Sequence, residues 1–290
     1  MKKPLIVIAG PTASGKTAMS IEFAKKNNGE IVNADSMQVY KYMDIGTAKP
    51  TMEERQGIPH YLMDEIEPTV QYSVAQYCND ARKYISQIHQ KGKVPILVGG
   101  TGLYIDSVVY NIRFAEGGAD EAFRKELEQL AADKGNNYIY EMLEKIDPQS
   151  AQRIHPSDRK RVIRALEIYH VTGKTITEQN KNSRRQSAVY DTEIYAIDIE
   201  REELYRRINE RVDKMFEAGL IDEVKHLMDM GVNKSMTSVQ GIGYKEVIDY
   251  LNGEYTLEET KNLIKQSTRR YAKRQLTWFR KNADIIWIRR

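Results

Sequence analysis

Cysteine is almost missing from this chain. Among 290 residues only Cys78 is present, which excludes an intrachain disulfide and a cysteine-based zinc site and suits a reducing compartment. Histidine is scarce too, with five scattered residues and no cluster at metal-ligand spacing. No apolar stretch approaches the ~20 residues that span a bilayer, and Lys2 and Lys3 precede a short apolar run rather than the core of a signal peptide. An excess of one charge is also lacking: 44 basic residues against 41 acidic ones leave +3, so any signal for a polyanionic partner must be local. These absences predict a cytoplasmic protein with no membrane association. The length suits two domains at roughly 150 residues each.

What is present starts at the N-terminus. Residues 5–9 read as a buried strand and residues 17–26 as a helix. Between them Gly10, Pro11, Thr12, Ala13, Ser14, Gly15, Lys16 and Thr17 fit G-x-x-x-x-G-K-[ST]. In such a loop backbone N–H groups surround a phosphate, lysine reaches its outer oxygens and the hydroxyl binds Mg²⁺. Further along, "GEIVNADS", "VAQYCNDARKYISQIHQKGK" and "VPILVGG" continue an alternation of strand and helix patterns. The expected fold is α/β: a P-loop NTPase-like parallel sheet flanked by helices, with an inserted helical domain. Residues 1–112 and 191–290 form the core domain, ending in basic helices. Residues 113–190 form the insertion, which shows helical patterns and no convincing strand. Its polar end, "TEQNKNSRRQSAVYDTE", reads as a mobile linker.

Several groups are candidates for chemistry. Asp35 follows a strand, where open parallel sheets bind ligands, although an aspartate there also suits a turn or helix cap. Beside it Ser36, Met37 and Gln38 offer an apolar contact and an amide able to pair with a base edge. A phosphate-loop ATPase places an acid after a second apolar strand to hold Mg²⁺. Here "VPILV" runs instead into Gly99, Gly100, Thr101 and Gly102, which suits either close backbone approach to a ligand or a tight turn. A helix capped by Ser157 would carry Arg159, Lys160 and Arg161 in its first turn, opposing the helix dipole unless an anion lies there. Arg207 and Arg211 stand one turn apart, placed to clamp phosphate or to pair with Glu203 and Glu210. The last thirty residues hold ten Lys or Arg against one acid. Arg269, Arg270 and Arg274 interleave there with Tyr271, Trp278 and Phe279, a pattern suited to an RNA backbone.

In their order along the chain, "GPTASGKT", "DSMQVY", "IGTAKP", "HYLMDEIEP", "VGGTGLY", "HPSDRKRVIRALEIY", "GIGYKE" and "RRYAKRQLTWFR" closely resemble the bacterial tRNA dimethylallyltransferase (tRNA isopentenyltransferase) family over nearly the whole length. The resemblance implies transfer of a dimethylallyl group from dimethylallyl diphosphate to N6 of the adenosine just 3′ of the anticodon. It implies Asp35 as general base, with Lys16, the loop N–H groups and Mg²⁺ on Thr17 neutralising the leaving diphosphate. Thr101 would lie near the reacting amine, and Arg207 would add a diphosphate contact. A flipped-out base would be read by Asp35, Ser36, Met37, Gln38 and Thr101. The anticodon stem-loop would be gripped by Arg124, Arg159, Lys160, Arg161, Arg269, Arg270 and Arg274. The expected partners are tRNA and the prenyl donor, with no obligate protein partner and a monomeric chain. Two rivals are weighed. An adenylate isopentenyltransferase would not need the insertion or the basic C-terminal region, and an NTP-dependent RNA-binding protein or small-molecule kinase is disfavoured by the missing acid.

Overall fold

A computed structural model describes residues 2–112, 120–183 and 189–289, the side chains of 180–183 excepted. The chain divides into two compact units, Met1–Val109 with Val189–Arg290, and Tyr110–Ala188.

The first unit is built on six strands: β1 (Lys3–Ala9), β2 (Gly29–Asn33), β3 (His60–Tyr61), β4 (Val94–Gly99), β5 (Tyr190–Asp198) and β6 (Ile285–Arg289). They lie in the order β3-β2-β4-β1-β5-β6, and each neighbouring pair is parallel. Leu5 to Ala9 of β1 are all buried, as expected of a strand with helices on both faces. Val7 and Ile8 are fully enclosed, each contributing about 1.5–3 kcal/mol by leaving water. The crossover helices are α1 (Lys16–Lys26), the single turn α2 (Met52–Arg55), α3 (Val74–Gln90) and α4 (Gly102–Val109). A Ser73–Gln76 capping box starts α3, and Tyr77, Cys78, Ala81, Ile85 and Ile88 form its buried stripe. From β1 the chain crosses over β4 to reach β2, whereas β5 lies on the other side of β1. That reversal opens a crevice beyond the carboxyl ends of the strands, where α/β folds bind ligands.

The second unit contains α5 (Glu121–Lys134), α6 (Asn136–Ile146), α7 (Pro148–Ala151), α8 (Arg159–Thr172) and α9 (Ile176–Ser183). Leu127, Ile139, Leu143, Val162 and Leu166 are the centre of its core. Glu167 is wholly buried, and Arg124 (2.7 Å) and Arg164 (2.6 Å) pair with it. Burial pushes its carboxyl up, but the hydrogen bonds from the two arginines outweigh this and hold it below the usual range. The expected linker is only partly a loop: α9 covers its beginning and β5 takes up its end. Residues 184–188 between them, and residue 113 at the expected start of the insertion, lie outside the described residues.

Between β5 and β6 the first unit adds α10 (Arg201–Glu217), α11 (Leu220–Asp229), α12 (Tyr244–Leu251) and α13 (Leu257–Phe279). Leu204 and Ile208 of α10 pack with Ala272 of α13, which brings the basic helix to the crevice. Among the described residues no helix is long and apolar enough to cross a membrane.

Candidate active site

The loop from Gly10 to Thr17 leaves β1 and turns into α1 through backbone that favours glycine. Gly15, at φ 92°, caps the helix with no side-chain hydrogen bond, so the N-terminal dipole is left for an anion. Lys16 folds back and donates to the Pro11 carbonyl at 2.6 Å. Burial, the main cause, and Arg211 lower its pKa against the opposing pull of Asp35, leaving it at about 8. Ser14 Oγ is buried with no hydrogen-bond partner among the described residues, an arrangement costing ~1–3 kcal/mol until a ligand oxygen meets it.

A cavity of about 300 Å³ opens here, and Lys16, Thr17, Asp35, Gln38, Arg207 and Arg211 are among its lining residues. Burial also lowers the Arg211 pKa, against the pull of Asp35. Two enclosed cations facing one carboxylate make this an anion site by charge. Of the two readings for Arg207 and Arg211, pairing with a glutamate holds for Arg207 alone, and both residues line the cavity. Arg207 Nε donates to Glu203 at 2.6 Å while still lining the cavity. Arg211 pairs with neither glutamate and donates to the Thr47 carbonyl at 3.1 Å. A second cavity of about 240 Å³ shares Thr12, Asp35 and Arg211 with the first. Its walls include Ser36, Met37, Ile208, Val212, Met215, Tyr244 and Tyr271, with Arg274 at its edge.

Asp35 stands where the two cavities meet. Its Oδ1 accepts from Met37 N at 2.9 Å and Gln38 N at 3.4 Å, so it makes a turn as well as facing the site. Among the described residues none donates to Oδ2. Thr101 Oγ1 accepts from Ser36 N at 3.1 Å, tying the glycine turn after β4 to the Asp35 segment. Gln38 differs from expectation: its Nε2 already donates to the Thr47 and Ala48 carbonyls at 3.1 and 3.3 Å. Those carbonyls need a donor, and serving them leaves only its oxygen to read a base.

The residues expected to hold RNA divide into separate sets. Arg270 and Arg274 are exposed on α13, the latter over the Tyr271 ring at 5.7 Å. Arg269 is engaged instead with Asn209 at 2.7 Å. In the second unit Arg159, Lys160 and Arg161 are all exposed at the start of α8. The cap there is Asp158, which precedes the first turn; its carboxylate accepts from Arg161 N at 3.4 Å and offsets those cations. Ser157 Oγ pairs with His155 Nδ1 at 2.7 Å instead. Arg124 is committed to Glu167 and acts in the fold of its own unit.

Two residues escaped the sequence reading. Gln275 of α13 is buried; its Oε1 accepts from Thr12 N and its Nε2 donates to Gly100 O, both at 2.9 Å. A Cβ on Gly100 would stand 2.1 Å from that amide, so the glycine turn exists partly to admit it. A polar residue on an apolar helix stripe was the available signal. Glu223 was hidden in an ordinary amphipathic pattern.

The IPP transferase family model matches residues 38–282. The tRNA dimethylallyltransferase of Carboxydothermus hydrogenoformans is 54% identical over 288 residues, covering 99% of this chain and 92% of that protein. The crystal structure of the tRNA isopentenylpyrophosphate transferase from Bacillus halodurans is similar at TM-score 0.74 and 47% identity, covering 99% of this chain and 90% of that one. A eukaryotic dimethylallyltransferase captured acting on tRNA is similar at TM-score 0.85 and 35% identity, covering 99% of this chain and 74% of that one.

Proposed function

The chain belongs to the IPP transferase family, and from that premise we propose that it transfers the dimethylallyl group of dimethylallyl diphosphate to N6 of the adenosine immediately 3′ of the anticodon in tRNA. The N6–C1 bond forms, the C1–O bond breaks, and diphosphate leaves with the electron pair. An adenine amine is a weak nucleophile because its lone pair is delocalised, so the reaction needs a base at nitrogen and a stabilised leaving group.

The observation that carries this reading is the junction of two cavities at Asp35. On one side Lys16, Arg211 and the loop of residues 10–17 offer charge and N–H groups to a diphosphate. On the other, mostly apolar walls beside Ser36 and Met37 suit an unstacked base. Asp35 Oδ2 then takes the N6 proton, with its other oxygen fixed by two backbone N–H groups. Thr101 holds this segment through Ser36.

Magnesium fits the donor set. Among the described residues no cluster of three His, Cys, Asp or Glu could hold a metal, and Mg²⁺ prefers one or two protein oxygens with water and phosphate. The Thr17 hydroxyl on the cavity wall supplies such an oxygen, and the bound ion would neutralise charge developing on the diphosphate. Arg159, Lys160, Arg161, Arg270 and Arg274 are the exposed cations assigned to the RNA backbone. The chain acts as a cytoplasmic monomer without an obligate protein partner.

The test is dimethylallyl transfer to tRNA measured beside ATP hydrolysis. Asp35→Ala is expected to lower turnover ~10²-fold or more with little change in tRNA affinity. ATP turnover without prenyl transfer would sink the reading, whereas an unchanged Asp35→Ala variant would remove only the base.

A further inference from the structure

We infer that Glu223 is a positioning residue for the transfer site, acting through the backbone of residues 44–48 to place Arg211 and Gln38. This deepens the function proposed above and rests on it. Glu223 lies in the first turn of α11 and is absent from the walls of both cavities, so any effect it has on substrate is indirect.

Its carboxylate receives four donors. Oε2 accepts from Asp44 N at 2.8 Å and Ile45 N at 2.7 Å. Oε1 accepts from Gly46 N at 3.0 Å and the Tyr244 hydroxyl at 2.8 Å. Three consecutive N–H groups converging on one anion fix both the direction and the curvature of the chain, as backbone nests do around ligands. From the other side Lys49 donates to the Tyr40 carbonyl at 2.9 Å and to Asp44 at 2.6 Å.

A loop clamped in this way has its next two carbonyls already aimed. Thr47 O accepts from Arg211, and Thr47 O and Ala48 O accept from the Gln38 amide. Among the described residues Thr47 O is the only hydrogen-bond acceptor of the Arg211 guanidinium, so the loop decides where that cation stands. Gln38 reports the same displacement next to Asp35. Loss of the Glu223 carboxylate releases three N–H groups, lets the loop swing, and moves charge away from the phosphate.

A double-mutant cycle separates this role from mere support of the fold. Glu223→Ala is expected to lower kcat/KM for dimethylallyl transfer about 10–100-fold and to weaken binding of inorganic diphosphate. In an Arg211→Met, Gln38→Met background the same substitution should cost less than about twofold, because the groups it places are gone. If the alanine variant does not fold, Glu223→Gln, which keeps the shape but turns an amide toward the loop N–H groups, runs the same cycle with the same expectation. Losses that multiply in full, or a lower Tm with kcat and KM unchanged, overturn the proposal. A wild-type protein that transfers no prenyl group overturns the function itself. A wild type that transfers, with multiplicative losses, overturns only the role of Glu223.

Discussion

Replacing Gln275 by leucine tests whether one amide holds the phosphate loop and the glycine turn together. The side chain is removed from Thr12 N and Gly100 O while apolar volume is largely kept, so the penalty falls on two orphaned backbone groups. The bond to Gly100 is buried and the one to Thr12 only partly so. A buried unsatisfied group costs about 1–3 kcal/mol, and water access should bring Thr12 to the low end, giving about 2–4 kcal/mol in all. For a unit of this size that lowers Tm by roughly 5–15 °C. Transfer should fall about 10–100-fold in addition, because the loop and Thr101 no longer share a strut and small misplacements are costly near reacting atoms. Gln275→Glu adds a sign: at neutral pH its carboxylate faces Gly100 O, whereas at pH 5 the fraction that is protonated can donate again. The glutamate variant should therefore regain stability relative to the leucine variant as pH falls. Urea unfolding followed by circular dichroism measures both. A leucine variant within ~0.5 kcal/mol of wild type would refute the reasoning, as typical surface changes do no more.

Charge on α13 is testable by salt. Arg270→Glu and Arg274→Glu should weaken tRNA binding and flatten the slope of log K against log salt by about 1 each; an unchanged slope makes the patch structural. Arg269→Ala should change stability more than slope, since its guanidinium is bound to Asn209. Lys16 gives a pH dependence. Its pKa is lowered to about 8, so inorganic diphosphate meets a charged lysine below that pH and must drive protonation above it. Affinity should fall by up to about tenfold per pH unit above 8, relative to Lys16→Met as the reference for the ligand's own titration. In the free protein the sign is opposite. The cost of burying the charged lysine is fully present below about 8 and fades as pH rises toward its ordinary value of 10.5. Calorimetry in buffers of differing ionisation heat reads the proton uptake on binding; none at pH 8.5–9 would show that Lys16 is not the group.

The sheet was legible because β1, β2 and β4 are largely enclosed strands, and β5 is buried at Ile194, Ala196 and Ile197, so each carries an apolar run. The phosphate loop was legible because its function requires specific residues at fixed spacing. Asp35 and Thr101 stood out by their place after strands. The engagement of the Gln38 Nε2 had a physical source: a sequence shows that an amide is available but not which carbonyls lack donors, and those came from residues 47 and 48. The Ser157 cap was misplaced by one position because Ser157 and Asp158 are both good caps, and the competition was decided by His155 taking the serine. Glu223 was illegible as a site residue because its loop partners lie 177 to 179 positions away, and the polar Gln275 on its apolar stripe gave no hint of partners 263 and 175 positions away. Only backbone packing brings such groups together, and a main-chain N–H leaves no mark in a sequence.

The missing acid after β4 has a structural counterpart that joins the fold to the chemistry. A side chain on Gly99 would place its Cβ 2.2 Å from the Ala34 carbonyl oxygen, so none can be accommodated there without moving β2. The two strands are locked at this point, with Ala34 N donating to Val98 O at 2.7 Å and Thr101 N to Ala34 O at 3.2 Å. The carboxylate appears instead just beyond β2, as Asp35. There it borders both cavities, and its Oδ1 is occupied by the turn it makes. An acid after β4 would have served a metal and an attacking water. In the reaction proposed above, the carboxylate at the end of the neighbouring strand instead serves the amine that enters through the second cavity. On that proposal the phosphate loop holds the group that departs, and the place of the carboxylate after β2 rather than β4 suits transfer rather than hydrolysis.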